Sequence, residues 1–380
     1  MKFLLIYVPN LRFNNDPYKK YNLYEFATRV TRKNKDNVSN LPLTISAQYG
    51  LVDQVSFFNK TVASKDMSGY YLLKNGEFAY NKSYSNDYPW GAIKRLDLYD
   101  MGCLSTLYIC FKTNDNIVNS NYLVHYFESS KWHKQVADIA GEGARNHGLL
   151  NIVVNDFFNT KHAVPTIENQ IKIAGFLDLI EKRIQTQIKI IDDYNSLKMG
   201  IYNWMFKENY ADYKLKQLAY IVKGDQINND QLLSNGSYYM MNGGTSPSGY
   251  LDSYNVSENT ISISEGGNSY GYVQFNSSPF WSGGHCYTIQ NVNSALIENK
   301  YLYHYLKHKE KEIMNLRIGT GLPNIQKKDL ENFTIFVPSL LIQRKNLALF
   351  EMLDEKICIL NEELERLKMQ EKYLLRNMFI

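Results

Sequence analysis

The run VPTIENQIK at residues 164–172 returns as VPSLLIQRK at residues 337–345. In both runs a glutamine and a lysine follow the Val-Pro pair at the same spacing. Proline fixes its own φ and keeps the preceding residue extended. Thr166 or Ser339 can then cap a helix N-terminus, and no proline interrupts the residues that follow. The two runs therefore predict the starts of two similar long helices.

The similarity extends well beyond these runs. At the same offset, and without a gap, matching pairs are Gly148 and Gly321, Asn151-Ile152 and Asn324-Ile325, Asp156 and Asp329, Ile184 and Ile357, and Met205-Phe206 and Met378-Phe379. With a small gap, residues 122–126 match residues 301–305. Because these pairs keep one order and end in the same Met-Phe, they indicate an internal duplication, and hence a pseudo-twofold repeat.

Each predicted helix, about forty residues long, carries an apolar heptad pattern. In the second copy it consists of Leu353, Ile357, Leu360, Leu364, Leu367, Leu374 and Met378. In the first copy it consists of Ile180, Ile184, Gln187, Ile191, Tyr194, Ile201 and Met205. Lys198 and Glu371 interrupt the two patterns at the same repeat position with opposite charge. The pattern favours a coiled coil between the two helices; the alternative is that each helix packs on a domain face.

The rest of each copy has the character of a globular domain. Aromatic and β-branched runs such as 104–111 and 260–264 predict strands, and the spacing at 122–127 predicts a helix. The predicted fold class is α+β, with two similar domains separated by two long helices. The predicted divisions are 1–163, 164–209, 210–336 and 337–380. Helices of this length reach roughly 60 Å. They could hold the two domains at a fixed distance, so that each domain binds one half-site of a duplex DNA target.

Composition limits the class of protein. The chain has 380 residues and a net charge of +4, which favours a polyanionic partner only mildly. Its 30 tyrosines are typical of a surface that binds another molecule, but an A/T-rich genome also raises the tyrosine content. Four scattered cysteines indicate reduced thiols. The apolar run 2–8 is too short for a signal peptide, and no stretch is long enough to span a membrane, so we expect a cytoplasmic protein without a membrane partner.

Motifs for chemistry are missing from the sequence. It contains no phosphate-binding loop of the G-x-x-x-x-G-K-[ST] type. The nearest approach to the D/N-P-P-Y/F motif of amino-methyltransferases is Asn15–Tyr18, which lacks a proline. Gly-x-Gly at 141–143 and 319–321 predicts loops with positive φ. The histidines form no metal motif, and His125 and His304 are interpreted as structural. We therefore predict no catalytic residue, no metal site and no cofactor in this chain.

Candidate DNA contacts are loops that combine basic residues for phosphates with polar and aromatic residues for bases. In the first domain they are Arg29, Arg32, Lys33, Lys35, Tyr80, Asn81, Lys82, Tyr84, Arg145 and Asn146. In the second domain they are Asn242, Thr245, Ser246, Ser248, Tyr250, Asn268, Tyr270 and Arg317. The segments that begin at Tyr80 and Ser264 lie at comparable repeat positions, each leaving a predicted strand. Any one segment alone is typical of an ordinary solvated loop.

Along essentially its whole length the chain resembles the DNA-specificity subunits of type I restriction–modification systems. The resemblance rests on residues 8–13, on 24–27, on the Val-Pro-x-x-x-x-Gln runs at 164–170 and 337–343, and on long helices that end in Met-Phe. A short apolar leader before residue 24 departs from the family, and its role is open.

The resemblance implies two target-recognition domains, each reading one half of a bipartite double-stranded site. It implies that the family's two conserved helices pack antiparallel as the spacer. It also implies two methyltransferase subunits using S-adenosylmethionine, and restriction or motor subunits using ATP and magnesium, in phage defence. The family transfers no base-contacting residue, target sequence or gap length.

Two other readings belong to different classes. The first is a methyltransferase or nuclease that carries its own recognition domains, which would bind S-adenosylmethionine by itself. The second is a coiled-coil scaffold whose domains bind protein, which would lack the steep salt dependence of DNA binding. A specificity subunit of a system that methylates without cutting would have the same sequence features.

Overall fold

The computed structural model describes residues 18–46, 49–85, 88–141, 148–206, 210–319 and 323–379. The chain divides into two compact units. Unit 1 comprises Met1–Thr186 with Leu364–Ile380, and unit 2 comprises Gln187–Glu363. Each unit therefore contains one globular part and a portion of each long helix. The predicted division treats each long helix as a separate spacer, whereas each compact unit includes part of both helices. The predicted domain bounds stay a prediction.

Unit 1 begins with short strands and helices. They are β1 (Lys19–Asn22), α1 (Leu23–Phe26), β2 (Ala27–Arg29), β3 (Leu43–Ser46), β4 (Gly50–Asp53), α2 (Gln54–Phe58), β5 (Tyr71–Lys74), β6 (Phe78–Asn81), β7 (Ala92–Arg95), β8 (Met101–Leu104), β9 (Ile109–Thr113), α3 (Ser120–Glu128), α4 (His133–Ile139), α5 (Val154–Phe158) and β10 (Lys161–Val164). The first long helix, α6 (Ile167–Met205), follows.

The main sheet of unit 1 has the order β2-β9-β6-β7 and is antiparallel. β1 pairs with β10, the strand directly before α6. The sheet packs on an aromatic core in which Phe78 stacks on Phe111, with ring centroids 5.3 Å apart. The strand predicted at 104–111 is wrong as one element: it is split between β8 and β9, because the chain turns between Ser105 and Tyr108.

Unit 2 repeats this arrangement. Its elements are β11 (Ala211–Lys214), α7 (Leu215–Leu218), β12 (Tyr220–Lys223), β13 (Tyr238–Met241), β14 (Gly249–Leu251), β15 (Thr260–Ser264), β16 (Val273–Asn276), β17 (Trp281–Ser282), β18 (Cys286–Gln290), α8 (Asn299–His308), α9 (Glu310–Met314), α10 (Lys327–Glu331), β19 (Thr334–Val337) and the second long helix α11 (Leu340–Asn377), which ends in unit 1.

The main sheet of unit 2 has the order β12-β18-β15-β16, which corresponds strand for strand to β2-β9-β6-β7. β11 pairs with β19 just as β1 pairs with β10. The strand predicted at 260–264 is β15, and the helical spacing predicted at 122–127 lies in α3. The internal duplication read from the sequence is thus confirmed at the level of topology.

The long helices have 39 and 38 residues, close to the predicted length. Within each unit their portions run antiparallel, and the heptad positions are buried or half-buried. In unit 2 the side chain of Gln187 donates to the backbone oxygen of Leu360 at 2.8 Å, and Lys198 pairs with Asp354. The predicted antiparallel coiled-coil packing agrees with these contacts.

Two heptad details differ from the prediction. Near the end of α6, Tyr202 is the buried side chain and Ile201 is only half-buried, because Tyr202 packs against Phe350 with ring centroids 4.7 Å apart. At the second interruption, burial and the nearby Glu181 raise the pKa of Glu371, whereas Lys198 is neutralised by an ion pair.

The ends of the helices explain the repeated Met-Phe. Phe206, just after α6, packs against Tyr301 and Tyr305 of α8 in unit 2. Phe379, just after α11, packs against Tyr122 and Tyr126 of α3 in unit 1. Each phenylalanine is therefore part of the aromatic core of its unit.

A buried glutamine fastens the start of each long helix. Gln170 donates to the backbone oxygens of Pro165 and Ile117 and accepts from the backbone N–H of Asn119. Gln343 makes the same set with Pro338, Leu296 and Glu298, at 2.8, 2.9 and 2.8 Å. Both glutamines are fully buried. Each side chain thus satisfies backbone groups of the helix start and of the segment before α3 or α8.

Both helix histidines make side-chain contacts inside their units, and their interpretation as structural residues stays a prediction. His125 lies in α3 and bonds Asp178 at 2.7 Å, and His304 lies in α8 and bonds the hydroxyl of Tyr202 at 2.8 Å. Burial lowers the pKa of His304 to about 4, so its imidazole is neutral at pH 7. All four cysteines are free, in agreement with reduced thiols.

We predict that Gln343→Leu lowers the free energy of unfolding by about 2–4 kcal/mol, because it leaves three buried backbone groups without a partner. Urea unfolding followed by circular dichroism measures the change. The control is Gln370→Leu, an exposed position of α11, for which we expect a change within about 0.5 kcal/mol. Equal effects of the two substitutions would show that the buried hydrogen bonds contribute nothing specific.

Candidate DNA interface

Three loops of unit 2 meet at one surface. The loop 242–248 joins β13 to β14, the segment 265–270 leaves β15, and residues 283–285 precede β18. The side-chain oxygen of Asn242 accepts the backbone N–H of His285 at 2.9 Å, and Ser264 Oγ donates to the backbone oxygen of Gly243 at 2.8 Å. The structure therefore brings together two segments that the sequence singled out separately.

Arg317 joins this surface from a fourth segment. Its guanidinium lies 5.1 Å from the ring centroid of Tyr270 and also donates to the tyrosine hydroxyl. Beside it, Gly267 has φ +75°, a conformation that a side chain would strain. Since Arg317 is exposed and stacked, its planar donors are held where they can meet a phosphate or a base edge.

A buried carboxylate supports the loops from below. Glu265 accepts from Lys223 Nζ at 2.7 Å and from the hydroxyl of Tyr287 at 3.0 Å, and it is 7% exposed. Its backbone oxygen accepts from the N–H of Ile325 at 2.8 Å. Burial, together with the neighbouring carboxylate, raises the pKa of Tyr287. Lys223 offsets the acidic charge at the base of the surface.

The candidate residues of unit 2 fall into two groups. The exposed side chains are Thr245, Ser246, Ser248, Asn268 and Arg317. The half-buried side chains are Asn242, Tyr250 and Tyr270. Tyr250 lies in β14 opposite Tyr239, so its backbone belongs to the sheet. The predicted positive φ at the Gly-x-Gly position of this unit is present at Gly319, with φ +98°.

In unit 1, two exposed basic residues contact the buried ring of Tyr71. Arg29 Nη2 donates to the hydroxyl of Tyr71 at 3.4 Å. Lys33 Nζ lies 4.5 Å from the centroid of the same ring and donates to the backbone oxygen of Gly69. Lys35 follows on a single helical turn and is exposed. These cations form a second basic surface, on the first domain.

Arg32 is held differently from its neighbours. Its guanidinium makes a bidentate pair with Glu77, with contacts of 2.7 and 3.1 Å, and also donates to the backbone oxygen of Leu72. Glu77 is 7% exposed. The structure thus accounts for Arg32 as the partner of a buried carboxylate, and its predicted DNA contact stays a prediction.

The prediction that Tyr80 contacts DNA is wrong. Its side chain is 0% exposed, its hydroxyl donates to the backbone oxygen of Trp90 at 2.7 Å, and its ring stacks on Phe157. The reason is that β6 is a central strand covered on both faces, so that three consecutive residues of it are buried. Tyr80 belongs to the core.

The residues after Tyr80 leave the strand. Asn81 and Lys82 are half-buried and Tyr84 is exposed. The backbone oxygen of Lys82 accepts from the N–H of Leu150, as that of Glu265 accepts from Ile325. β6 and β15 hold the same place in the two main sheets, so both segments leave corresponding strands. Arg145 and Asn146 lie outside the described residues.

Sequence reasoning missed other side chains at these surfaces. His285, whose side chain is exposed, stands beside Asn242, and Lys223 stands beside Glu265. In unit 1, Phe57 and Phe58 at the end of α2 are both exposed, and exposed Lys60 follows them. In a sequence, two adjacent phenylalanines are typical of a buried core. Only the three-dimensional structure shows that this pair is exposed at the surface.

Comparison with known proteins finds relatives of this chain among type I specificity subunits. Residues 207–369 match the family model described as the type I restriction modification DNA specificity domain. Similar proteins include a putative type I specificity subunit of Mycoplasma pneumoniae, 32% identical over 167 residues, which cover 43% of this chain and 44% of that protein. A putative type I specificity subunit of Mycoplasma genitalium is 31% identical over 127 residues, 33% of each chain.

Solved structures extend the likeness of fold to nearly the whole chain. A type I restriction–modification specificity subunit from M. genitalium matches with a TM-score of 0.61 and 17% identity, covering 98% of this chain and 99% of that one. A chain from a type I system studied for complex assembly matches with a TM-score of 0.61 and 18% identity, covering 94% and 96%. At this identity the matches establish the fold, and the predicted fold class is confirmed.

The predicted resemblance to type I specificity subunits is also confirmed. Both relatives are named as putative type I specificity subunits. By sequence, the chain spans less than half the length of the curated relatives that it matches. Within the described ranges, no helix is both long and apolar enough to cross a membrane.

Proposed function

We propose that this chain is the DNA-specificity subunit of a type I restriction–modification complex and reads a bipartite double-stranded site. Target-recognition domain 1 (1–163) reads one half-site, and target-recognition domain 2 (210–336) reads the other. The spacer helices (164–209 and 337–380) set the gap between them. The observation that carries the proposal is the duplicated domain, with one sheet order and one glutamine contact set in both copies.

The exposed loops supply suitable chemistry for DNA. In unit 2, Arg317 offers a bidentate fork beside loop side chains that can donate and accept hydrogen bonds. In unit 1, Arg29, Lys33 and Lys35 offer charges for phosphates. Because the two surfaces carry different residues, the two half-sites would differ in sequence.

The long helices offer a surface for partner subunits. They carry large apolar side chains that are more than one-third exposed. In unit 1 these are Ile171, Leu179, Met369 and Tyr373, and in unit 2 they are Leu341, Ile342, Met352 and Ile359. Exposed apolar side chains of this size favour a protein partner. We place two methyltransferase subunits here, which would in turn connect to restriction subunits.

The chemistry would then belong to those partners. S-adenosylmethionine would bind to the methyltransferase subunits, and ATP and magnesium to the restriction subunits. This chain would contribute position and sequence choice, acting in the cytoplasm. The scaffold reading is less favoured, because the loops combine arginine, serine, threonine and asparagine, which are typical of nucleic-acid contacts.

The function is tested by mapping adenine methylation genome-wide in cells that express the neighbouring methyltransferase gene with and without this chain. We expect a split motif that is methylated only when the chain is present. The methyltransferase is shown to be active in parallel with a specificity subunit of known target. An unchanged map would favour the scaffold reading, and tight binding of S-adenosylmethionine by this chain alone would favour the enzyme reading.

The second prediction concerns Arg317→Gln, measured on a duplex that carries the methylated motif. If Arg317 contacts a phosphate, binding weakens for all sequences and the slope of log K against log salt falls by about one. If it reads a base, affinity falls by about 1–3 kcal/mol and discrimination at one position relaxes.

Arg344→Gln is the matched control, since Arg344 is exposed on α11 and pairs with Glu298, away from the loops. We expect wild-type DNA binding for this variant. If Arg317→Gln also bound DNA like the wild type, the loop surface of unit 2 would not be the interface.

The third prediction concerns the spacer. Insertion of seven residues between 184 and 198, matched by seven in the antiparallel segment of α11, preserves the heptad phase and adds about 10 Å. We expect the recognised gap to grow by about three base pairs. Insertion of four residues in α6 alone breaks the pairing and abolishes assembly. An unchanged gap in a fully assembled complex would contradict the spacer model.

A further inference from the structure

In unit 2, two carboxylates and a histidine lie together between α8 and the long helices, and lysines neutralise the two carboxylates. Lys198 pairs with Asp354, and Lys300 pairs with Glu351. The Nδ1 atom of buried His304 lies 4.0 Å from Asp354. Two ammonium groups thus compensate two carboxylates beside a buried imidazole.

Unit 1 keeps the acceptors of this cluster. At the same repeat positions, His125 stands for His304, and Asp178 and Glu181 stand for the two carboxylates. His125 is 6% exposed and its Nε2 lies 2.7 Å from Asp178 Oδ1. One nitrogen and two oxygens, one from each of the three side chains, lie within 4.8 Å of one another.

Unit 1 lacks both of the lysines. Asn121 stands at the repeat position of Lys300, and Glu371 stands at that of Lys198. Glu371 lines the same cavity as His125 and Glu181. The replacement of Lys198 therefore removes a positive charge and adds a negative one where the other copy holds a cation.

Nearby cations are engaged with other partners. Lys94 pairs with Glu128, and Arg95 pairs with Asp97 at 2.6 Å. The cavity they line has a volume of about 550 Å³ and is also lined by His125 and Glu181, and the carboxylate of Asp178 beside His125 is half exposed. It has room for a cation with bound water, and a path for that cation to enter.

We propose that unit 1 binds one divalent transition-metal ion through His125, Asp178 and Glu181, with Glu371 beside it. The ion takes the place that the lysine ammonium of Lys198 has in unit 2. It links α3 to α6, and so fastens the first domain to its long helix.

The ligand set selects the type of ion. An imidazole nitrogen with two carboxylate oxygens suits Zn²⁺ or Mn²⁺, whereas Mg²⁺ prefers oxygen and water. Sequence analysis predicted no metal site because the ligands come from α3 and α6 without a local motif. The only close pair, Asp178 and Glu181, resembles ordinary helix-surface charge.

The test is equilibrium dialysis of the untagged full-length chain against Zn²⁺, Mn²⁺ and Mg²⁺, together with thermal unfolding. It uses a Cys358→Ser background, because an exposed thiol can bind zinc by itself. We expect one Zn²⁺ or Mn²⁺ per chain, a higher Tm with the metal, and much weaker Mg²⁺ binding. Glu181→Gln should weaken binding by at least about tenfold.

Two further variants sharpen the test. Glu355→Gln, at the corresponding cavity of unit 2, should leave binding unchanged. Glu371→Lys recreates the charge arrangement of unit 2, and it should abolish metal binding while the metal-free Tm stays equal or rises. Absence of saturable binding, equal affinity of Glu181→Gln and the wild type, or Mg²⁺ binding as tight as Zn²⁺ binding would each overturn the proposal.

Discussion

The structure depends on one buried amide group in each half. Gln170 and Gln343 saturate backbone donors and acceptors at the place where a strand becomes a long helix. A backbone carbonyl or N–H group that is buried without a hydrogen-bond partner is costly. The glutamine amide donates to the carbonyl of the proline before its helix, and it exchanges hydrogen bonds with the segment before α3 or α8. The direction in which each long helix leaves its domain is therefore set by hydrogen bonds that no apolar residue could replace.

Much of the fold could be predicted from the sequence. The Val-Pro-x-x-x-x-Gln runs locate both long helices, and the repeat predicts that both halves share a topology, as β6 and β15 show. This works because helix starts and heptad patterns are local signals. Their physical causes, capping and amphipathic burial, act within a few turns of chain.

The functional surfaces were less accessible from sequence. Tyr80 looks like a loop residue because Asn and Lys follow it, yet it lies in a strand covered on both faces. Phe57 and Phe58 look like core but are exposed. Such differences arise from which strand is central and which turn is uncovered, and these are properties of tertiary packing. The cation-poor cluster around His125 is hidden for the same reason, since its parts come from separate elements.

The C-terminal portion of α11 has a consequence for the order of events during synthesis. Leu374, Met378 and Phe379 complete the core of unit 1, whose other residues are made first. Unit 2 is one continuous segment, so it can close as soon as residue 363 has left the ribosome. The first domain to be made is thus the last to be finished. Until then its aromatic core stays open to water, and a nascent chain would need protection at its beginning while its middle is already folded.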